Sequence, residues 1–374
     1  MQNFRGSAGA AGRDAAARQE HGLTFQRTIP RHMVHRAAVA EVFVTDAVSL
    51  GEDRFLVGAQ WPRDHALYHP DAEGRSDPLL VAETIRQALV YLAHWYYRVP
   101  LTHHFVGRDI DFEVTDIDAL RIGPQPLPVV LDARWVWVDN RPPQRYGMRL
   151  EVGLSVGGRE CGRGSLQVIA VDDRRYELLR RRAGGSPAAG TPASAGEVAR
   201  QMRGSLDPSL VGRLRSKDSF IVPGASPGQW QLRVDPDHAI LFDHPTDHVP
   251  LMVILEGIRQ LGHLLVSGHR GESGGLRVLP VLTSVATDCQ AFAELDEPIH
   301  LVVHNEGRTT ETANAPRVPA QSRRTCRSLP EGPDSRRLRI EAVQGGRPVA
   351  VTDSGWIARD LEPAGQDEAL ADHG

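Results

Sequence analysis

Apolar residues follow two distinct patterns along this chain of 374 residues. From Pro78 to about Tyr97, and again from Pro250 to about Ser267, apolar side chains occupy most positions of a helix-length run. Asp77 and Pro78 open the first run, and Asp as a cap with Pro in the first turn is a good helix start. Each run therefore predicts one long helix that is buried on most of its faces.

Shorter runs, either alternating or rich in β-branched residues, surround both helices and predict strands. Those of the first region are Glu41–Thr45, Arg54–Ala59, Leu131–Val138, Met148–Val156 and Gly164–Val171. Those of the second region are Trp230–Val234, Ala291–Ala293, His300–His304, Leu338–Val343 and Pro348–Val351. One helix set into a run of antiparallel strands describes an α+β module, in which a curved sheet wraps around the helix.

A sequence repeat indicates that the two regions are copies of one module. The tripeptide Asp-His-Ala at residues 64–66 returns at 237–239, and Glu-x-Ile-Arg-Gln at 83–87 returns at 256–260. The offset is 173 residues in both cases (237 − 64 and 256 − 83), so seven identical residues share one register without a gap. A period of this length indicates duplication of a whole domain.

Stretches of polar residues, Pro and Gly separate and flank the modules, and they show no periodicity. Two modules fit a chain of this length, because each keeps enough residues for a core of its own. We expect a disordered tail over 1–27, a first module over 28–175, a linker over 176–215, a second module over 216–360 with a flexible insertion over 305–336, and a disordered tail over 361–374.

Composition narrows the classes of function. A hydrophobic fraction of 41% and a formal net charge of −4 describe an ordinary globular protein and give no reason to expect nucleic-acid binding. Cys161, Cys289 and Cys326 are far apart and odd in number, which favours neither a disulfide framework nor a metal site. We expect a cytoplasmic protein with no membrane partner and no cofactor, because neither a signal peptide nor a membrane-length apolar run stands out.

Polar motifs near the two predicted helices resemble those of a known family. Residues 59–65 (Ala-Gln-Trp-Pro-Arg-Asp-His), together with 77–88, resemble the first repeat of the A-factor biosynthesis (AfsA-type) hotdog family. Residues 243–252 (Asp-His-Pro-Thr-Asp-His-Val-Pro-Leu-Met), together with 255–260, resemble its second repeat, and Val34-His35-Arg36 fits its opening. The resemblance runs from about Pro30 to Ala358. It departs at Leu251, where the family pattern leads us to expect Gly, and a Leu there would narrow or reshape one pocket.

The resemblance implies a double hotdog, in which two tandem modules lie side by side with continuous sheets and adjacent helices. It implies an acyltransferase that moves a β-ketoacyl group from an acyl-carrier-protein thioester to a hydroxyl of dihydroxyacetone phosphate. The product would be an early intermediate of an actinomycete signalling molecule (a γ-butyrolactone, furan or butenolide) that controls antibiotic production. The implied partners are the acyl carrier protein and dihydroxyacetone phosphate, and the protein would be a monomer or homodimer.

Acyl transfer from a thioester requires a base for the attacking hydroxyl and donors for the developing oxyanion. The free N–H groups at a helix start can act as such donors, and the starts of both predicted helices suit that role. Glu83 and Glu256 lie about one and a half turns into the helices, where a carboxylate could act as the base. The alternative is an ion pair with Arg86 or Arg259, three residues further on the same face.

The other candidates are polar residues near the two helix starts. Further catalytic candidates are Asp64, His65, His244, Asp247 and His248. Candidates for substrate binding are Arg63, Arg75, Arg86, Gln87, Asp237, His238, Arg259 and Gln260. Arginine must hold the phosphate of the substrate, because Lys217 is the only lysine of the chain and the guanidinium fork suits phosphate.

Structural roles remain open for several of these candidates. Asp64 and Asp237 fit turn or cap residues, and His65 and His238 fit buried histidines whose hydrogen bonds are satisfied. The His and Asp residues of 244–248 are also metal-ligand types. The resemblance argues against a metal, and we expect none.

Two other classes of function compete with the acyltransferase. A hotdog hydro-lyase or thioesterase would use the same His and Glu residues without a phosphorylated acceptor, so arginines placed to hold a phosphate would argue against it. A binding module that senses an acyl thioester or lactone would have lost the polar residues from both copies. Both copies retain them here.

Overall fold

The computed structural model of the protein describes residues 22–182, 204–226, 228–268, 278–307 and 334–360. The elements of the first half are β1 (Val44–Gly51), β2 (Arg54–Trp61), α1 (Leu79–Trp95), β3 (His104–Val114), β4 (Leu127–Trp137), β5 (Arg145–Val156), β6 (Arg159–Val171) and α2 (Asp173–Arg182). Those of the second half are β7 (Ile221–Pro223), β8 (Trp230–Leu232), α3 (Leu251–Gly268), β9 (Val278–Cys289), β10 (Ile299–Gly307), β11 (Ser335–Gln344) and β12 (Arg347–Asp360).

Within the described residues, twelve strands form one sheet in the order β1-β2-β4-β5-β6-β3-β9-β12-β11-β10-β8-β7. The second half repeats the strand order of the first in reverse, as expected for two copies related by a pseudo-twofold axis between β3 and β9. These two strands pair antiparallel from Asp109 opposite Asp288 to Glu113 opposite Ser284. Each half contributes one long helix packed on its strands, which confirms the predicted α+β double hotdog.

Both long helices are buried because sheet covers them on one side and the neighbouring helix and loops cover the other. In α1 every residue from Leu79 to His94 is buried except Arg86. In α3 every residue from Met252 to Gly262 is buried. Although α3 is long and apolar enough to cross a membrane, 67% of it is buried inside the protein, and it serves as the core helix of the second half.

Several predicted strands were wrong in position. The run Glu41–Thr45 is mostly a 3₁₀ turn and loop, and β1 begins only at Val44. Ala291–Ala293 is a loop rather than a strand. The central strands β3 and β9 were not predicted at all. Charged residues on the outer face of β3 hid its alternation. β9 is buried at every residue from Leu279 to Val285, Pro280 included, so it shows no alternation of period 2.

The linker predicted over 176–215 is shorter than expected, because ordered structure occupies both of its ends. Residues 176–182 continue the helix α2, which packs against the second half. A 3₁₀ turn at Pro208–Val211 already belongs to the second half, where it packs against α3. Residues 183–203 lie outside the described part of the chain, as do 1–21 of the tail predicted over 1–27, 308–333 of the insertion predicted over 305–336, and the tail predicted over 361–374. The prediction of a disordered first tail was wrong for its described end, because Leu23 and Phe25 are buried against Leu56 of β2.

Candidate active site

A glutamate near the start of α1 is held by three side chains. Glu83 is fully buried, and its Oε1 accepts hydrogen bonds from Nε of Arg36 at 3.0 Å and Nη2 of Arg86 at 2.8 Å. The same oxygen accepts from Nε2 of Gln87 at 2.6 Å. Its Oε2 accepts from Nε of Arg86 at 2.9 Å. Both carboxylate oxygens are therefore occupied by donors of the protein itself.

Glu256 of α3 has an equivalent set of partners. Arg213 donates from Nε to Oε1 at 2.7 Å and from Nη2 to Oε2 at 2.5 Å. Arg259 contacts both oxygens at 3.3 Å, and Nε2 of Gln260 donates to Oε1 at 2.6 Å. The repeated Glu-x-x-Arg-Gln motif thus forms the same buried network in both helices.

The glutamine of each motif ties its glutamate to the backbone before the first strand of its half. Oε1 of Gln87 accepts from the N–H of Phe43 at 2.8 Å, and its Nε2 donates to the carbonyl of Glu41 at 2.7 Å. Gln260 makes the equivalent two bonds at 2.7 and 2.6 Å. Each amide is fully satisfied in a buried setting, so both glutamines have a structural role in this geometry.

Each network also reaches across to the other half of the molecule. Arg36 donates from Nη1 to Oδ1 of Asp243 at 3.3 Å, and Arg213 donates from Nη1 to Oδ2 of Asp77 at 2.8 Å. The two arginines thus each join the glutamate of their own half to an aspartate of the other half. The networks therefore lock the modules together with buried charge pairs.

These contacts decide the protonation of the glutamates. Burial alone would raise the pKa of Glu83, but the charges of Arg36 and Arg86 outweigh it and lower the pKa to about 2. Burial would also raise the pKa of Glu256, but the charges of Arg213 and Arg259 outweigh it and lower that pKa. A general base requires a pKa near the working pH and an available lone pair. The geometry therefore supports the ion-pair alternative for both glutamates.

The repeated histidines His65 and His238 are also built into the framework. Nδ1 of His65 accepts from the N–H of Tyr68 at 3.0 Å, which leaves its proton on Nε2, 3.2 Å from the carboxylate of Glu41. Nε2 of His238 lies 3.0 Å from Oδ1 of Asp218 in the same arrangement. Both rings are buried and use both nitrogens within the protein, which corresponds to the structural alternative.

The loop before α3 carries two His–Asp pairs. We define the α3 mouth as the first turn of α3, from Leu251, together with the loop residues His244, Asp247 and His248. Nδ1 of His244 lies 2.6 Å from Oδ1 of Asp243, and Nδ1 of His248 lies 2.8 Å from Oδ1 of Asp247. Because a carboxylate can only accept, each pair fixes the imidazole with its proton on Nδ1 and a lone pair on Nε2.

The first of these pairs is anchored to the buried network of α1. Asp243 has a buried side chain, accepts from the backbone N–H of Ala37 at 2.9 Å, and pairs with Arg36. Burial would raise the pKa of Asp243, but the bond from His244 and the charge of Arg36 lower it. The side chain of His244, by contrast, is 51% exposed. A buried carboxylate with three hydrogen-bond partners therefore holds a solvent-accessible imidazole.

The second pair is held by the helix α2, which comes from the first half. The hydroxyl of Tyr176 donates to Oδ1 of Asp247 at 2.7 Å and lies 3.2 Å from Nδ1 of His248. Arg180 donates to the backbone carbonyl of Asp247 at 3.0 Å and forms a bidentate pair with Glu294 at 2.6 Å. Burial would raise the pKa of Asp247, but the bonds from His248 and Tyr176 lower it.

Histidines of the first half face the α3 mouth. Burial, followed by the influence of His94, Arg86, His244 and His104, lowers the pKa of His35 to about 3, so His35 is neutral. Nδ1 of His94 lies 2.7 Å from a backbone carbonyl, so its Nε2 accepts the bond from Nε2 of His35 at 2.9 Å. His35 and His94 are therefore neutral imidazoles, and the charge of Arg86 lies within electrostatic range of His35.

The start of α1 is built differently. We define the α1 mouth as the first turn of α1, from Leu79, together with Asp77, Arg213 and His263. Oδ1 of Asp77 accepts from the N–H of Leu79 at 2.8 Å and caps the helix, as predicted. Nδ1 of His263 lies 3.2 Å from the carbonyl of Leu210, and burial lowers the pKa of His263 to about 3. A carboxylate, already paired with Arg213, thus occupies this helix start.

No such carboxylate occupies the start of α3. Among the described residues, no side chain accepts a hydrogen bond from the N–H groups of Leu251 or Met252. Leu251, the residue that departs from the family pattern, points toward β3, where a Cβ on Gly107 would lie 3.8 Å from its Cδ2. The α3 mouth therefore offers free N–H donors beside two oriented imidazoles.

The remaining candidates lie elsewhere. Asp64 and Asp237 are exposed turn residues. Arg63 is exposed and donates to a backbone carbonyl at 3.1 Å. Arg75 is buried in the loop before α1, where Asp71 and a second carboxylate enclose its guanidinium. The structure thus brings none of these four residues to the α3 mouth.

Four residues that shape the site were not among the candidates: Arg36, Arg213, Tyr176 and Arg180. A second repeat could have revealed the first two. Val-x-Arg at 34–36 returns at 211–213, and an acidic residue two before Phe at 41 returns at 218, with an offset of 177 in both cases (211 − 34 and 218 − 41). Tyr176 and Arg180 have no copy, so the repeat carries no signal for them.

Other features of the described residues suggest no competing site. Nowhere in the ranges described do three or more His, Cys, Asp or Glu side chains form a group that could hold a metal ion. Two surface depressions lie on the outer face of the sheet near Asp132 and beside the end of β12 near Arg359. Neither borders His244 or His248, so neither belongs to the chemistry described above.

Comparison with known proteins agrees with the motifs. The sequence model of the A-factor biosynthesis hotdog domain family matches residues 17–172 and 195–356 of this chain. A 2-oxo-3-(phosphooxy)propyl 3-oxoalkanoate synthase from Streptomyces virginiae is 36% identical over 72% of this chain and 85% of that protein. Proteins of the same name from Streptomyces coelicolor and Streptomyces griseus are 30% and 35% identical, over 72% and 64% of this chain and 80% and 75% of their own lengths.

Proposed function

The chain belongs to the A-factor biosynthesis hotdog family, and we propose that it makes the ester for which its relatives are named. In this reaction a 3-oxoalkanoyl group leaves a thioester and joins the hydroxyl of dihydroxyacetone phosphate. The product is a 2-oxo-3-(phosphooxy)propyl 3-oxoalkanoate, an early intermediate of an actinomycete signalling molecule. The donor is an acyl carrier protein in the cytoplasm.

One observation carries the assignment of the site: a half-exposed imidazole, His244, is held by a buried carboxylate beside an uncapped helix start. Asp243 fixes the proton on Nδ1, which leaves a lone pair on Nε2 to act as a base. Among protein side chains, imidazole serves most often as the general base. Glu83 acts indirectly: it positions Arg36, and Arg36 in turn positions Asp243. We therefore assign the reaction to the α3 mouth.

The reaction follows from this placement. Nε2 of His244 takes the proton of the substrate hydroxyl, and the hydroxyl oxygen attacks the thioester carbonyl carbon. The N–H groups of Leu251 and Met252 hold the resulting oxyanion, which the positive end of the α3 dipole also stabilises. The carbon–sulfur bond then breaks, and the thiolate leaves with the proton from His244. Atoms and charge balance without a covalent acyl-enzyme.

Arg86 is the best candidate to hold the phosphate. Its Nε and Nη2 pair with Glu83 and a backbone carbonyl, whereas its Nη1 makes no hydrogen bond within the described part of the chain. Its side chain is 24% exposed, and it lies within electrostatic range of His35 on the rim of the α3 mouth. A phosphorylated acceptor needs such a cation, whereas water does not, so Arg86 favours transfer over hydrolysis.

The test is a product assay with matched histidine variants. Purified protein is incubated with a 3-oxoacyl thioester and dihydroxyacetone phosphate, and the ester is quantified by mass spectrometry. His244→Gln keeps a polar side chain but removes the base, so kcat should fall roughly 10²- to 10⁴-fold. His263→Gln changes the histidine of the α1 mouth and serves as the control, which should keep most of the parent kcat.

Two results would contradict this proposal. Release of free 3-oxo acid at a rate independent of dihydroxyacetone phosphate would identify a thioesterase instead. Loss of activity in His263→Gln, with parent-like turnover in His244→Gln, would move the reaction to the α1 mouth.

A further inference from the structure

The helix α2 has two faces with different partners. Its inner face carries Tyr176 and Arg180, which contact Asp247 of the α3 mouth as described above. Its outer face carries Arg174, Leu178, Arg181 and Arg182, which stand at positions i, i+4, i+7 and i+8 and so fall within an arc of about 100° on one side of the helix. A single helix thus connects the site to the outside surface.

The outer face is exposed, and its charges have few partners among the residues that the structure describes. All four of its side chains are exposed, and Leu178 keeps 44% of its surface accessible. Arg174 and Arg182 form no ion pair within the described residues. Arg181 approaches Glu177 at 3.4 Å, but both side chains are about 60% exposed, and such surface pairs contribute little.

We propose that this outer face of α2 is the docking surface for the acyl carrier protein, which rests on the function proposed above. An exposed leucine with arginines around it fits a partner helix that is acidic and carries an apolar residue, because the apolar contact gains from burial and opposite charge steers the encounter. The net charge of the chain is −4, so an acidic partner is attracted only by a local cationic surface such as this one.

The position of α2 suits delivery of a thioester. A helix with its side chains is about 10–12 Å across, so a carrier on the outer face sits roughly one helix diameter from His248. The pantetheine arm of a carrier is longer than that and can pass the edge of α2 into the α3 mouth. A docked carrier would also contact the same helix whose Tyr176 and Arg180 hold the Asp247–His248 pair.

Binding of a bacterial acyl carrier protein loaded with a 3-oxoacyl chain tests the proposal directly. The variant Arg174→Glu/Arg181→Glu reverses two charges of the outer face, and Leu178→Ser removes its apolar centre without changing charge. The control Arg134→Glu/Arg337→Glu makes the same charge change at exposed positions of β4 and β11. We expect the Kd for the carrier to rise tenfold or more in both α2 variants and to stay at the parent value in the control.

Two substrates separate docking from chemistry. With the carrier-bound thioester, kcat/KM of the α2 variants should fall at least tenfold, whereas with a small 3-oxoacyl pantetheine thioester it should equal that of the parent. A parent-like Kd in both α2 variants would overturn the proposal. Equal loss with both thioesters would also overturn it, because it would show that α2 only shapes the site.

The Kd for the carrier can be interpreted even if the proposed function is wrong. If the parent protein makes no ester from either thioester, the proposed function fails, while the Kd values still decide whether the carrier docks on α2. If the outer face instead binds anionic vesicles or nucleic acid more tightly than the carrier, the assignment of the partner is refuted.

Discussion

The two helix mouths are built on the same buried network of glutamate, arginine and glutamine. They differ in whether a side chain caps the N–H groups of the helix start. In both, a buried glutamate pairs with two arginines and a glutamine, and one of those arginines crosses to an aspartate of the other half. The start of α1 reads Asp77-Pro78-Leu79, whereas the start of α3 reads Val249-Pro250-Leu251. One helix start is therefore closed by a carboxylate, and the other keeps its N–H donors.

The same contrast holds for the imidazoles. At the α3 mouth, His244 and His248 are each oriented by an aspartate and keep part of their surface exposed. At the α1 mouth, His263 bonds to a backbone carbonyl, and its ring nitrogen would lie 2.7 Å from a Cβ on Gly212. Duplication thus preserved the charge network that joins the halves, while the groups that orient the imidazoles differ: carboxylates at the α3 mouth and a backbone carbonyl at the α1 mouth.

The largest expected effect comes from breaking the network that joins the halves. Glu256→Gln removes the carboxylate that pairs with the buried Arg259, whose other hydrogen bond goes to the backbone carbonyl of Val211, so the free energy of unfolding should fall by about 3–5 kcal/mol. Glu83→Gln should cost less, about 1–3 kcal/mol, because Arg36 keeps Asp243 and Arg86 reaches water. Urea unfolding followed by circular dichroism measures both. A stable but inactive Glu256→Gln protein would instead make Glu256 the base.

The pH dependence of stability offers a second check on Glu83. Its pKa is about 2 in the folded protein, against an ordinary value of 4.5. Its contribution to stability is therefore complete above about pH 4.5 and is lost as the pH falls toward 2. Glu83→Gln should show a shallower loss of stability across that window than the parent. Identical slopes would mean that the carboxylate is not held as described.

A hydroxyl placed at the start of α3 should make that mouth resemble the other. Val249→Thr provides a side-chain oxygen at the residue before Pro250, as Asp77 does before Pro78, where it can accept from the first N–H groups of the helix. Because those groups would then be shared with the cap, kcat should fall roughly 10- to 10²-fold. Val249→Ala, which leaves the N–H groups free, is the matched control and should keep kcat per folded molecule. Parent-like turnover in the threonine variant would exclude these groups as the oxyanion donors.

The sequence predicted the fold well where periodicity and repetition act together. The two helices, the cap at Asp77 and the duplication were confirmed, because each depends on local spacing. The pairing of β3 with β9 could not be predicted, since neither strand shows a clear local signal and their contact depends on how the halves close. The motif Glu-x-x-Arg-Gln located the network correctly.

The chemistry of that network was harder to predict. A carboxylate at a helix mouth suits a base as well as an ion pair, and only the positions of Arg36 and Arg213 separate these roles. Those arginines lie more than forty residues from their glutamates. The cluster at 244–248 was located from local sequence, but its anchors, Asp243 aside, come from the other half of the chain.

Substitution of the arginine in each Glu-x-x-Arg-Gln motif tests which mouth binds the phosphate of the substrate. Arg86→Gln removes the cation proposed to hold the phosphate, so KM for dihydroxyacetone phosphate should rise about tenfold or more, since bonds to charged groups contribute ~1.5–3 kcal/mol. Use of unphosphorylated dihydroxyacetone should not change. The equivalent variant Arg259→Gln should lower stability without this preference, because its side chain is only 8% exposed. Equal losses with both acceptors would refute a phosphate site at Arg86.

The smallest expected effect tests whether α2 supports the chemistry of the mouth it covers. Tyr176→Phe removes the hydroxyl that lies 2.7 Å from Asp247 but keeps the ring stacked on His104, with centroids 4.1 Å apart. Asp247 retains His248 and Arg180, so we expect kcat to fall only a few-fold, about 1 kcal/mol, with KM and melting temperature unchanged. Tyr176→Ala, which also loses the stack, should lower both kcat and the melting temperature. A phenylalanine variant with the parent kcat would show that α2 holds the loop by packing alone, and that the hydroxyl does not position the Asp247–His248 pair.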